Sequence, residues 1–241
     1  MDIGTNRLYG DLAWLWPLWG DPETEYARYC QWLAAQLRRR AQRELRTLLD
    51  AGCGGGKNIF NLRRQFQVTG LDRSGRMLAL AAKLNPGCEL IQADLRSFDL
   101  GCQFDAVFLD DAVSYLLTEA DVAGALRQFR KHLAPGGVLG FSLDATTESF
   151  QNNRTQVFQS VPSAKHPDTE VTFVTHEYVR ADADPPCQTA LRRAPVQLLL
   201  PDPPAGKAEH RDRPPCPGAV SAGRLAGFAA AGGLCGRSGH L

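Results

Sequence analysis

The chain has 241 residues, 44% of them hydrophobic and 22% charged, with a formal net charge of +1. That length suits one ordinary domain with a sizeable core and at most a small appendage, and the near-neutral charge argues against a broad basic face for nucleic acid. No run of 18 apolar residues could span a membrane, and the N-terminus lacks the basic segment and apolar core of a secretion signal.

In chain order, the first twenty residues are aromatic and irregular, with Tyr9, Trp14, Trp16 and Trp19 around Pro17. They read as a flap whose rings pack on the core, or as a lid over a pocket, and both can hold at once. A helix is expected from Asp21-Pro22, with Asp at the N-cap, Pro at the first helical position, and Glu23 and Glu25 in the first turn. Tyr26, Tyr29, Cys30, Leu33, Leu37, Ala41 and Leu45 then recur at helical spacing. Arg38, Arg39, Arg40, Arg43 and Arg46 fall toward its C-terminal end, which reads as a solvated face favoured by the helix dipole rather than an RNA-binding one.

Strands and helices then alternate. A strand over 47–49 runs into a glycine loop, and a second over 68–71 ends at Asp72. Ser74 can cap a helix carrying Met77, Leu78, Ala81 and Leu84, which Asn85-Pro86-Gly87 stops. A third strand over 89–92 ends at Asp94, and a fourth over 104–109 ends at Asp110-Asp111. Thr118 and Asp121 open a helix with one apolar stripe, Val122, Ala125, Leu126, Phe129 and Leu133. Pro135-Gly136-Gly137 closes it before a fifth strand over 138–143. The expected fold class is α/β: a doubly wound, mostly parallel Rossmann-like sheet with helices on both faces. A small antiparallel addition follows strand five, where residues 171–179 alternate as a strand, and the C-terminus reads as incomplete or irregular. Ligands on such sheets bind at the carboxyl ends of the strands. Four strands here end in an acid or a glycine loop, at Gly52, Asp72, Asp94 and Asp110.

Residues 48–60 read LLDAGCGGGKNIF, placing Gly52, Gly54 and Gly56 between a strand and a helix. Glycines there let the backbone turn sharply and approach a ligand closely. A Walker A loop does not fit, because Ala51 replaces its first glycine and Asn58 its magnesium-holding hydroxyl. The dinucleotide fingerprint does not fit either, since Lys57 takes the third glycine position. Asp50 at the strand end would repel a pyrophosphate but would favour an ammonium or sulfonium. Asp72 can accept from both ribose hydroxyls of an adenosine, and Asp94 from an adenine amino group. Leu95 offers a backbone N–H and apolar cover to the ring. Met77 is weighed equally as a second ring contact and as core.

With LLDAGCGGGKN, VTGLD, IQADLRSF, FDAVFLDDAVSYL and LAPGGVLGFSLD in order, the chain resembles the class I S-adenosylmethionine-dependent methyltransferases over roughly residues 5–180. FDAVFLDDAVSYLLT and the aromatic flap resemble the branch acting on small molecules, including sugar-amine and glycine methylators. The resemblance implies S-adenosyl-L-methionine as cofactor. It implies Asp50 and the loop Gly52, Cys53, Gly54 and Gly56 beside the methionine part, Asp72 at the ribose, Asp94 at the adenine and Asp110 beside the sulfonium; Arg73, Met77 and Leu95 complete the expected cofactor-binding set. The implied activity moves a methyl group to an N or O atom of a small-molecule acceptor. The competing readings are a cofactor-binding but inactive protein with a defective C-terminus, and a nicotinamide-dependent dehydrogenase.

Methyl transfer needs positioning and exclusion of water, and a base only where the acceptor must lose a proton. Asp111 and Tyr115, four residues apart, are the catalytic candidates; the plainer reading makes Asp111 a cap and Tyr115 core. Asp144 is a weaker candidate. His132 sits at a helix end where a cation is favourable, and His166 and His176 fall in the region expected to form an acceptor lid. Seven cysteines without a C-x-x-C pair suggest neither a disulfide framework nor a zinc finger, and no metal is expected.

The expected organisation is a flap and helix over 1–46, a cofactor-binding core over 47–145, a lid over 146–180 and a tail over 181–241. Those last 61 residues hold 17 Pro and Gly and one aromatic, Phe228. They offer one short strand candidate, 196–200, and a glycine-weakened helix candidate, 222–231. Two readings stand: a shift of reading frame near 181–190 in a GC-rich gene, or a genuine disordered extension on a shortened fold. The expected setting is the cytoplasm, as a monomer or homodimer, with no nucleic-acid or membrane partner.

Overall fold

The structure, a computed structural model, describes residues 7–143, 153–159, 171–177 and 196–199. Two one-to-two-turn 3-10 segments, Arg7–Tyr9 and Ala13–Leu18, precede helix α1, Ala27–Arg40. Then follow β1 (Thr47–Ala51), α2 (Lys57–Leu62), β2 (Gln67–Asp72), α3 (Gly75–Leu84), β3 (Glu89–Gln92), β4 (Phe104–Asp110), α4 (Glu119–His132) and β5 (Leu133–Ser142). β6 (Arg154–Gln159), β7 (Thr172–Glu177) and β8 (Val196–Leu199) complete the described elements.

The main sheet has the order β3-β2-β1-β4-β5-β8, with the first five strands parallel and β8 antiparallel to β5. Successive residues on the central strands supply opposite faces. Leu48, Ala106, Phe108 and Val138 join Leu33, Leu37, Ile59 and Leu62 of α1 and α2 in one core. Leu49, Val107, Leu109, Leu139 and Phe141 join Ala125 and Phe129 of α4 in the other. Burial on both faces explains why these strands read as continuous apolar runs. The strand order reverses between β1 and β4, so their carboxyl ends open a crevice.

Several expectations shift in detail. Asp21 does cap backbone, accepting from Glu23 N and Thr24 N, but it closes a separate turn, and α1 begins only at Ala27. The helix ends at Arg40, because Ala41 is extended and its N–H returns to Leu37 O. The arginines knit the base: Arg43 pairs with Asp105 at 2.9 Å and Arg46 with Glu44. Pro135-Gly136-Gly137 lies inside β5, at a register shift after the Phe104–Leu133 pair. Ser74 and Thr118 cap α3 and α4 as expected, accepting from Met77 N and Asp121 N. β6 had no counterpart in the sequence reading; it pairs antiparallel with β7, which covers part of the strand expected over 171–179. The short candidate over 196–200 is the edge strand β8. The helix expected over 222–231, Asp144 and His166 lie outside the described residues. No helix among the described residues is long and apolar enough to cross a membrane.

Candidate active site

The carboxyl ends of β1, β2, β3 and β4 face one cavity of about 790 Å3. Its floor is the glycine loop. The Gly52 and Cys53 N–H groups donate to Leu71 O, at 2.7 and 2.9 Å, which folds the loop back over β2. Gly52 has φ 84°, and a Cβ there would strike Ala112. Gly56, at φ 78°, is glycine for another reason: a Cβ would meet Asn85 and Ala81, so it lets α2 approach α3, and it is not part of the cavity wall.

Asp72 reaches the wall from β2. Its oxygens accept from Gly54 N at 2.8 Å and Ser74 N at 2.7 Å, while burial pushes its carboxyl up. Arg73, Asp94 and Leu95 line the same end. Asp94 accepts from the Arg96 backbone and guanidinium, which hold it down at about 2. At the other end, Asp110 accepts from Tyr29 Oη at 2.8 Å, Asn58 Nδ2 at 2.7 Å and Ser142 Oγ. Asp111 lines the wall beside it with φ 52°, a conformation uncommon outside glycine that often marks functional backbone. Ser114 donates to its carbonyl through both N and Oγ.

The N-terminal flap contributes Tyr9, Trp16 and Trp19 to the cavity wall, whereas Trp14 is exposed. Trp16 lies against Gly54 and Gly55, and Trp19 and Tyr9 flank it at ring separations of 6.0 and 6.1 Å. Core side chains catch flap carbonyls: Ser74 Oγ donates to Tyr9 O, Lys57 Nζ to Trp19 O, and Asn61 Nδ2 to Pro22 O. Lys57 also sits over the Trp16 and Tyr26 rings at 5.4 and 5.5 Å, and burial pulls its ammonium down to about 8. Tyr115 is not core. It is 48% exposed, follows Asp111 in a single 3-10 turn over Ala112–Tyr115, and meets Tyr9 hydroxyl to hydroxyl.

Two candidate residues lie off the cavity wall. Met77 is fully buried in α3 and outside the cavity wall, so its core role wins. Asp50 is fully buried beneath the loop rather than at the wall. Among the described residues its two oxygens, like the Trp16 indole N–H, have no hydrogen-bond partner. Burial, with Asp110 and Asp72 nearby, raises its carboxyl well above the ordinary range. Of the described histidines, His132 is buried, with Nε2 accepting from Leu100 N and Nδ1 against Gln128 O. His176 is exposed on β7 beside Thr155, away from the cavity wall. Sequence reading missed Tyr29, Asn58 and Ser142 as the holders of Asp110, because three separate elements bring them together. It also missed Arg96 and Lys57 as wall residues, although Lys57 stood out against the dinucleotide pattern.

Unpartnered buried polar atoms are rare and point to an absent partner. An orphaned carboxyl group under a glycine-rich loop, with two further acids, Asp72 and Asp94, along one wall, fits a nucleoside with acceptor-seeking hydroxyl and amino groups. It does not fit a diphosphate. Residues 48–137 match a family described as a methyltransferase domain. A dTDP-3-amino-3,6-dideoxy-alpha-D-glucopyranose N,N-dimethyltransferase from Streptomyces fradiae is 31% identical over 192 residues, covering 78% of this chain and 69% of that protein. The chain belongs to the class I S-adenosylmethionine-dependent methyltransferases. A dTDP-3-amino-3,4,6-trideoxy-alpha-D-glucopyranose N,N-dimethyltransferase from Streptomyces venezuelae is 38% identical over 117 residues, 48% of this chain, and the match spans only 49% of its length. Among solved structures, Streptomyces venezuelae DesVI is similar with TM-score 0.61 at 30% identity, over 71% of this chain and 70% of that one. S-adenosylmethionine-bound CalS10, an amino pentose methyltransferase from Micromonospora echinaspora, gives 0.58 at 31%, over 66% of each chain. This methyltransferase therefore uses S-adenosylmethionine and acts on an N or O atom of a small molecule. The dehydrogenase alternative is set aside.

Proposed function

We propose that this chain methylates the amine of a nucleotide-linked amino sugar. The observation that carries the reading is the single cavity with two unlike ends: an acid-lined end suited to an adenosine, and an aromatic end under the flap. Aromatic faces at Trp16, Trp19 and Tyr26 suit stacking against the apolar face of a pyranose, and the similarity to amino-sugar N-methyltransferases supports the same acceptor class.

In this reading Asp72 accepts from the ribose hydroxyls, with Arg73 alongside, and Asp94 and Leu95 hold the adenine. The backbone of Gly52, Cys53 and Gly54 cradles the methionine part, with Asp50 buried beneath the loop as an unpartnered acceptor. When bound, the cofactor supplies a methyl group already activated by a sulfonium. The chain's own work is then orientation and dryness. Tyr29, Asn58 and Ser142 fix Asp110 at the end of β4, so its charge stays aimed at the crevice. Asp111 takes the proton that the attacking amine releases, and Tyr115 orients the acceptor. Tyr9 is a hydrogen-bond partner rather than a base, since burial and the nearby Tyr115 raise its phenol far above its ordinary value.

The test is methyl transfer from S-adenosylmethionine to two acceptor sets: nucleotide-linked amino sugars, and a carboxylate such as trans-aconitate. Methylated amine with no methyl ester is expected. Ester formation alone would overturn the amine reading, and cofactor binding without any transfer would favour a binding-only protein.

A further inference from the structure

Arg96 makes a set of bonds that the cofactor reading does not use. Its backbone N–H and Nε both donate to Asp94 Oδ1, at 2.9 and 2.8 Å, and its Nη2 donates to Asp94 Oδ2 at 2.7 Å. Its remaining arm, Nη1, donates to Asp121 Oδ1 at 3.0 Å. Asp121 is itself fixed at the start of α4, where its N–H and Oδ2 both meet Thr118 Oγ1. Arg96 thus straps the loop after β3 to the N-terminus of α4, and Asp94, Arg96 and Asp121 all line the cavity.

The bond count is decisive. A carboxylate offers about four acceptor positions. Arg96 fills both on Oδ1 and one on Oδ2, and Arg73 Nε stands off at 3.8 Å. One acceptor position therefore remains, on Oδ2. We propose that Arg96 is the positioning residue that leaves Asp94 a single, oriented acceptor, and so makes the site select a 6-amino over a 6-oxo purine on the cofactor. The inference rests on the reading of Asp94 as the adenine-amino acceptor. A 6-oxo group would set one acceptor against another, and the guanidinium is held in place by Asp94 and Asp121 rather than turned toward the ligand.

The test is calorimetric binding of S-adenosylhomocysteine and of S-inosylhomocysteine, its 6-oxo counterpart, to the full chain. The unmodified chain should prefer the amino form by about 10- to 100-fold, the equivalent of one hydrogen bond to a charged acceptor. Arg96→Ala frees Asp94 to rotate and should reduce that preference to a few-fold. Arg96→Lys, which keeps the charge but cannot chelate both oxygens, should fall between. A merely structural strap would weaken both ligands equally and leave the ratio intact, and that result would overturn the proposal. Asp94→Ala separates the two levels. If it keeps the full preference, the reading of Asp94 fails; if it loses the preference while Arg96→Ala keeps it, only the role of Arg96 fails. The ratio is read on folded protein, so a loss of stability in a variant does not imitate either outcome.

Discussion

Placing Trp16 on the glycine loop makes Gly55→Ala a sharp test of the flap. Gly52, Gly54 and Gly56 have φ of 84°, 51° and 78°, whereas Gly55 is outside the left-handed region, so an alanine there meets no backbone strain. What it meets is the Trp16 indole: its Cβ would fall on Cδ1, 2.6 Å from Nε1 and 3.4 Å from Cγ. The ring cannot swing away freely, since Lys57, Tyr9 and Trp19 surround it. Overpacking of this kind costs about 1–3 kcal/mol. In a Trp16→Ala background the obstacle is gone, and Gly55→Ala should be nearly neutral. Urea unfolding of the four chains in this cycle should therefore give a coupling of about 1–3 kcal/mol. Gly55→Ala costing the same with and without Trp16 would refute the placement of the flap.

Other predictions follow from the site and its support. Asp72→Asn should weaken S-adenosylhomocysteine binding by about 10- to 100-fold in calorimetry, as for lost charge-assisted bonds; unchanged affinity would remove Asp72 from the ribose role. Asp105→Ala, at the opposite end of the sheet, strands Arg46 N and Thr47 N and breaks the Arg43 pair. It should cost about 2–4 kcal/mol in urea unfolding and leave the ligand affinity of the folded protein unchanged. Lys57 is held down to about 8 from an ordinary 10.5 by burial. Between those values the unfolded chain holds more of this proton than the folded one, so the Lys57 contribution to stability rises with pH across that window, and below about 8 its penalty is fully present. The stability advantage of Lys57→Met over the natural chain should therefore shrink from pH 8 to 10.5; a constant difference would contradict the burial of the ammonium.

The fold was legible because the signals were local. Ser74 and Thr118 cap the helices they precede, and acids end the strands that carry them. Boundaries slipped where tertiary contacts overrode local pattern. Asp21 spent its capping oxygen on a turn of its own, and Pro135-Gly136-Gly137, a helix stop by composition, was absorbed into β5 at a bulge. Candidates tied to one loop or strand end, Gly52, Asp72 and Asp110, do fall on the wall of one cavity. Met77 was open between ligand and core because helical spacing does not say which face meets a ligand, and Gly56 lies off the wall because a glycine pattern does not say which glycine admits a ligand and which a neighbouring helix. The Tyr29, Asn58 and Ser142 grip on Asp110 joins α1, α2 and β5, and no spacing rule connects residues so far apart in sequence.

The most direct measurement is a calorimetric titration of the chain with S-adenosylhomocysteine, with NAD as the comparison ligand. One saturable site per chain for S-adenosylhomocysteine, displaced by S-adenosylmethionine and silent to NAD, is the predicted result. Saturable binding of NAD with none of S-adenosylhomocysteine would contradict the assignment of the cavity.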